Sequence, residues 1–169
     1  MIKSPTKRLY IKAFLNYIHT YLKFSGLSFG VACFTNISRD HLDYHKTMKN
    51  YIEAKRLLFD SLDKKATAII NLDSPHGHEM IKGTKADIKS ISMTRQEGVD
   101  YRGSLSKSSD HALVLTIDNC YTVKTKIFGE FNGPNLLMAY AIARNLGLGR
   151  DTNVDESHLK GLKICPIKN

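Results

Sequence analysis

The sequence predicts an α/β fold: a mostly parallel sheet with flanking helices, plus a small antiparallel β-hairpin region. Two short apolar runs, Phe29–Phe34 and Ala66–Asn71, stand a helix length apart, as the strands of a βαβ unit do. The stretch between them carries apolar residues at helical spacing. Beyond about Asp87 the period shortens to alternating runs broken by Gly, Ser or Asp118-Asn119, which reads as hairpins on the edge of an α/β core.

Residues 10–24 place Ile11, Phe14, Leu15, Ile18 and Leu22 at helical spacing, so an amphipathic leader helix is expected up to the Ser25-Gly26 break. Its bland reading, a helix docked on a core, stands beside a membrane-surface helix. After the first strand a polar loop runs from Thr35 to His45. Thr47 is placed to cap a helix reaching about Leu62, with Tyr51, Ile52, Leu58, Phe59 and Leu62 as its apolar positions. The second strand ends in the Asp73-Ser74-Pro75 turn. Alternating runs follow at Ile88–Ile91, Ala112–Ile117 and Tyr121–Ile127. A last long helix is expected over Pro134–Leu146, stopped by Gly147. The final 20 residues offer one short possible helix.

Composition narrows the classes. The 42% apolar and 24% charged fractions are those of a soluble globular protein. No run approaches the ~18 apolar residues of a membrane span, and no apolar secretory core follows the N-terminal lysines. Cys33, Cys120 and Cys165 are odd in number and far apart, which suits reduced thiols and a cytoplasmic location. The net charge of +9 invites a nucleic-acid partner. Yet residues 1–39 hold six cations and no acid, and the other 130 residues carry 19 cations against 16 acids. The basic excess belongs to the leader, and the aromatic–basic clusters of the common RNA modules are missing, so no nucleic-acid partner is expected.

Three groups could carry chemistry. The loop Thr35–His45 follows a buried strand, and α/β proteins bind ligands at that edge of the sheet. It holds Asn36, Asp40, His41 and His45; an imidazole flanked by carboxylates can ligate a metal, and His41 and His45, four apart, could share one ion. Helix capping and loop bonding explain the same residues equally well. Lys55 sits on the next helix, ordinarily a solvated side chain unless it faces that loop. Asn132 and Asn135, three apart at a helix start, can offer amides to a flat heterocycle, or simply cap the helix.

The segments TNISRDHLDYH (35–45), YIEAKRLLF (51–59), AIINLDSPHG (68–77) and GEFNGPNLLMAYAIARNLG (129–147) resemble, in order and spacing, the central domain of the Mur ligases. The first is closest to the members that add diaminopimelate or lysine, as third residue, to UDP-N-acetylmuramoyl-L-alanyl-D-glutamate in peptidoglycan synthesis. The resemblance runs from about Leu27 to Leu148. It implies ATP and Mg²⁺ as cofactors, and the UDP-muramyl dipeptide and ATP as partners. It implies His41 as a magnesium ligand, and Lys55 as a carbamylated lysine that becomes an anionic oxygen ligand. Asn132 and Asn135 would lie by the adenine. Asp73 falls in the family's Asn-x-Asp-Asp turn, where Ser74 replaces the second aspartate; Asn36 and Asp40 are further candidates. The family reaction forms an acyl-phosphate from the D-glutamyl carboxylate, from which an incoming amine displaces phosphate.

Departures accompany the likeness. No Gly-Lys-Thr or Gly-Lys-Ser phosphate loop occurs in the chain. Where the family has Glu-Val-Ser-Ser-His, a backward register places Ala13-Phe14-Leu15-Asn16-Tyr17. The expected organisation is a basic leader helix over 1–24, a partial central domain over 25–165 and a truncated tail over 166–169, a fragment inactive by itself. Two other readings are a non-catalytic module binding through its basic leader, and a zinc protein built on His41 and His45.

Overall fold

The computed structural model describes residues 29–37, 47–95, 97–107, 113–125, 127 and 129–147. The expected leader helix, the loop residues Asp40, His41 and His45, and the expected tail lie outside them. Six strands are ordered across the sheet as they occur in the chain, β1 to β6, and the residues cluster into two units.

The first unit contains β1 (Val31–Phe34), α1 (Met48–Asp60), β2 (Thr67–Asn71) up to Ile70, and the segment Ser74–Ile88 with the short α2 (Gly77–Met80). As expected, β1 and β2 pair in parallel, Val31 opposite Thr67 through Phe34 opposite Ile70, with α1 between them in sequence. Both strands are apolar nearly throughout because both faces are covered: Ala68, Ile69 and Ile70 are wholly inaccessible. The Thr47 hydroxyl accepts from the Asn50 N–H at 3.2 Å and so satisfies one of the orphan donors opening α1. Thr47→Ala is therefore expected to cost about 1 kcal/mol in urea unfolding, and an unchanged midpoint would contradict the capping role. Along α1, Tyr51, Ile52, Ala54, Leu58 and Phe59 are buried, whereas Leu57, off that stripe, is exposed.

The second unit contains Asn71–Asp73 and the chain from Lys89 onward. It includes most of β3 (Asp87–Ser92), then β4 (Tyr101–Lys107), β5 (Leu113–Ile117), β6 (Tyr121–Thr125) and α3 (Gly133–Asn145). The strands β4, β5 and β6 form the expected antiparallel region. Asp118 and Asn119 turn the β5–β6 hairpin with φ of 50° and 56°, a backbone these two residue types tolerate. The run at 88–91 differs from expectation: β3 is no hairpin strand but pairs in parallel with β4, at Ile91–Tyr101 and Ser92–Arg102. Two bonds fasten this short pairing beyond the ladder, since the Ser90 N–H and hydroxyl both donate to the Asp100 carboxylate. No alternating apolar pattern announced β4, whose sequence YRGSLSK offers Leu105 as its only aliphatic side chain.

Helix α3 lies on β4 and β5. Leu136, Leu137, Met138 and Ala141 are buried along it, and Gly147 follows its C-cap at φ +76°, as expected of a helix stop. The approach to β4 is close: a Cβ on Gly103 would lie 2.6 Å from Met93 Sδ and 3.0 Å from Leu137 Cδ2.

Candidate functional site

Helical geometry explains the environment of Lys55. At about 100° per residue, position 55 falls between Tyr51 and Phe59, in the middle of the apolar stripe of α1. Its stem is therefore drawn against the buried face, and the ammonium rests 4.7 Å from the centre of the Tyr51 ring. Burial strips water from the charged form and holds the amine below the usual lysine range. Lys55 is thus not the ordinary solvated lysine of an exposed helix face. More of it is the neutral amine at any given pH, which is the form that can act as a nucleophile. On the same unit, Asn36 is exposed, two residues beyond the end of β1. Asp40 and His41 lie outside the described residues.

In the second unit, Glu130–Asn132 form a single 3₁₀ turn that runs into α3. Asn132 occupies the N-cap position, yet its side chain makes no capping bond. The Asn135 amide instead reaches back, 3.5 Å from both Asn132 Oδ1 and the Phe131 carbonyl. The two predicted amides therefore do stand side by side, but as a linked pair rather than as a helix cap. Their turn is shaped by Gly129, at φ +90°, where an added Cβ would meet the Phe131 ring. Phe131 is 70% exposed beside the pair. In sequence Phe131 is only one letter of the motif at 129–147; an aromatic flanking two amides at a helix start is the signal that marks it.

Asp73 has a definite structural place. One of its carboxylate oxygens accepts from the Ser92 and Thr94 hydroxyls, and the other from the Met93 N–H at 2.6 Å. Burial pushes its titration upward, but these donors together outweigh it and hold the carboxyl below the usual aspartate range. Asn71 Oδ1 accepts from the Asp73 N–H, and Arg95 Nη2 donates to the Leu72 carbonyl. The turn after β2 is in this way tied to the end of β3.

Among the described residues no group of three or more His, Cys, Asp or Glu side chains is placed to hold a metal ion. An amine is a poor ligand for Mg²⁺, which prefers oxygen donors. The half-buried Lys55 fits such an ion only after conversion to a carbamate. That conversion adds two oxygens and a negative charge.

A parallel βαβ unit, followed by a mixed sheet under a helix that opens on an amide pair, defines an α/β domain. The model of the Mur ligase middle domain matches residues 16–143, and the chain belongs to that family. Among its relatives is the UDP-N-acetylmuramoyl-L-alanyl-D-glutamate–2,6-diaminopimelate ligase of Phocaeicola vulgatus, 40% identical over 125 residues. That match covers 74% of this chain and 25% of the relative. The protein of the same name from Lactiplantibacillus plantarum is 33% identical over 134 residues, covering 75% of this chain and 27% of that one. The chain thus spans about a quarter of the length of the curated relatives it matches. The fold agrees with solved MurF structures. The Acinetobacter baumannii protein superposes with a TM-score of 0.63 at 22% identity, over 81% of this chain and 29% of that one. The Thermotoga maritima ligase, in complex with ADP, gives 0.56 at 19% identity, over 72% and 28%.

Proposed function

We propose that the chain is the part of a third-residue muramyl ligase that handles ATP and Mg²⁺. The parent activity joins diaminopimelate or lysine to UDP-N-acetylmuramoyl-L-alanyl-D-glutamate in the cytoplasm, for peptidoglycan synthesis. One observation carries the reading: a lysine in the middle of an apolar helix stripe, with its titration lowered by burial. Carbamate formation requires an amine in its neutral form, and burial favours that form here.

The neutral Lys55 nitrogen adds to the carbon of CO₂. One C=O electron pair moves onto oxygen, and the proton displaced from nitrogen passes to water. The product carries two oxygens which, with His41, would hold Mg²⁺ in this reading. Bound magnesium supplies neutralisation of the charge that builds between the γ-phosphate and the acceptor carboxylate. Asn132 and Asn135 bind the adenine of ATP by their amides, and the exposed Phe131 ring flanks them.

The test is carbon NMR of the chain in ¹³C-bicarbonate. A carbamate resonance that appears in the wild type and vanishes in Lys55→Met supports the reading. Its absence from the wild type across pH 7–9 would overturn it. The chain alone, lacking a phosphate loop, is expected to give no ligase turnover with dipeptide precursor, diaminopimelate and ATP.

A further inference from the structure

We infer that Asp73 is a positioning residue for the Asn132–Asn135 amide pair, acting through Met93. The inference rests on the reading of that pair as part of the nucleotide site, and all the residues concerned belong to the second unit.

Three observations make the connection. Asp73 captures the end of β3 through three hydrogen bonds, from the Ser92 and Thr94 hydroxyls and the Met93 N–H. Ser92, fully buried, also accepts from the Thr94 and Arg95 N–H groups, so the segment 92–95 folds around these two side chains as one piece. The side chain of Met93, whose backbone is held by Asp73, then runs beneath the start of α3. A Cβ on Gly133, the first residue of that helix, would lie 3.2 Å from Met93 Cε and 2.5 Å from Leu105 Cδ1. The neighbouring backbone at Gly103 would bring a Cβ to 2.6 Å from Met93 Sδ. The half-buried Met93 side chain thus approaches both Gly103 of β4 and Gly133, the residue that follows Asn132 and opens α3. Close-packed interiors transmit such displacements because no void is available to absorb them.

The chemistry of the lock is directional. All the donors point at a carboxylate, which accepts on both oxygens. An asparagine at 73 would present an NH₂ to at least one of them, so a donor would face a donor. Either orientation of the amide breaks the set, at the Met93 N–H or at the Ser92 and Thr94 hydroxyls, and so loosens the segment that holds Met93 while its side chain stays intact.

The experiment is amide hydrogen exchange combined with side-chain amide NMR on the full chain, comparing Asp73→Asn, Met93→Ala and the double variant. Asp73→Asn should speed exchange at Met93 and Thr94 by about tenfold or more, and should shift the side-chain amide signals of Asn132 and Asn135. Met93→Ala should shift the same two signals while exchange at Thr94 stays slow. The double variant should move them no further than Met93→Ala does, which is the non-additivity expected of residues acting in series. Unchanged Asn132 and Asn135 signals in Asp73→Asn would overturn the inference, as would additive shifts in the double variant. Should Asp73→Asn fail to fold, Thr94→Val removes one donor and is read the same way. Titration of each variant with ADP separates the two claims. Shifted amides with no ADP response in the wild type would leave the positioning role standing and remove the nucleotide reading.

Discussion

Replacing Phe59 with alanine should lower the unfolding free energy by about 3–5 kcal/mol. The ring is 1% exposed and lies one helical turn beyond Lys55 on the apolar stripe of α1. Truncation removes its transfer free energy and leaves a cavity in a close-packed interior. For a domain whose whole stability is about 5–15 kcal/mol, that is about a fifth of the total or more. The nearby Leu57 is the control. At 54% exposure it lies off the stripe, and Leu57→Ala should stay within about 0.5 kcal/mol of wild type. Urea unfolding of both variants decides the matter, and a Phe59→Ala loss under about 1 kcal/mol would refute the packing described for α1. A second consequence follows for Lys55. Loosening the apolar surroundings lets water reach the ammonium, so its titration should return toward that of an ordinary lysine, and carbamate should form less readily at a given pH.

Acid should destabilise the chain through two carboxylates. Asp73 and Asp100 both titrate below the usual aspartate range: burial pushes each upward, but hydrogen bonds from Ser92, Thr94 and Met93 to Asp73, and from Ser90 and Lys89 to Asp100, together prevail. A carboxyl whose titration is lower folded than unfolded stabilises the fold while both states are ionised. Its contribution is therefore complete above the unfolded value near 3.9, and disappears as pH falls through the lower folded values. Stability should hold from neutrality down to about pH 4 and then drop as the pH falls further. Asp73→Ala at pH 7 should cost about 2–3 kcal/mol, because the buried Ser92 hydroxyl and the Met93 N–H lose a charged acceptor. The gap between Asp73→Asn and wild type should close as the pH is lowered below the unfolded value. A gap of constant size across the titration would show that the carboxylate charge plays no part.

What could be read from the sequence, and what could not, follows the range of the interactions. Thr47, the apolar stripe of α1 and the two aliphatic strands β1 and β2 are local patterns, and all three elements formed as expected. Even the burial of Lys55 is written in its helical phase relative to Tyr51 and Phe59, though a lysine read singly suggests solvent. The strand β4 escaped notice because polar bonds hold it as much as apolar burial does. Asp100 grips Ser90, and Asp118 accepts from the Arg102 N–H at 2.9 Å. Those partners lie 10 and 16 residues apart, beyond any periodicity. The same distance hid the role of Asp73, whose partners at Ser92 and Thr94 are 19 and 21 residues away. Asn132 and Asn135 were found as a pair by their spacing, but their link to each other in place of a cap depends on the preceding 3₁₀ turn.

The protruding ring at position 131 has a practical use. The chain has no tryptophan among its 169 residues, so Phe131→Trp would install a single indole fluorophore against a dark background at that wavelength. Standing in solvent next to two amides, it would respond by emission colour and quenching to whatever docks there. An occupant could then be followed in a cuvette, in real time and without any label.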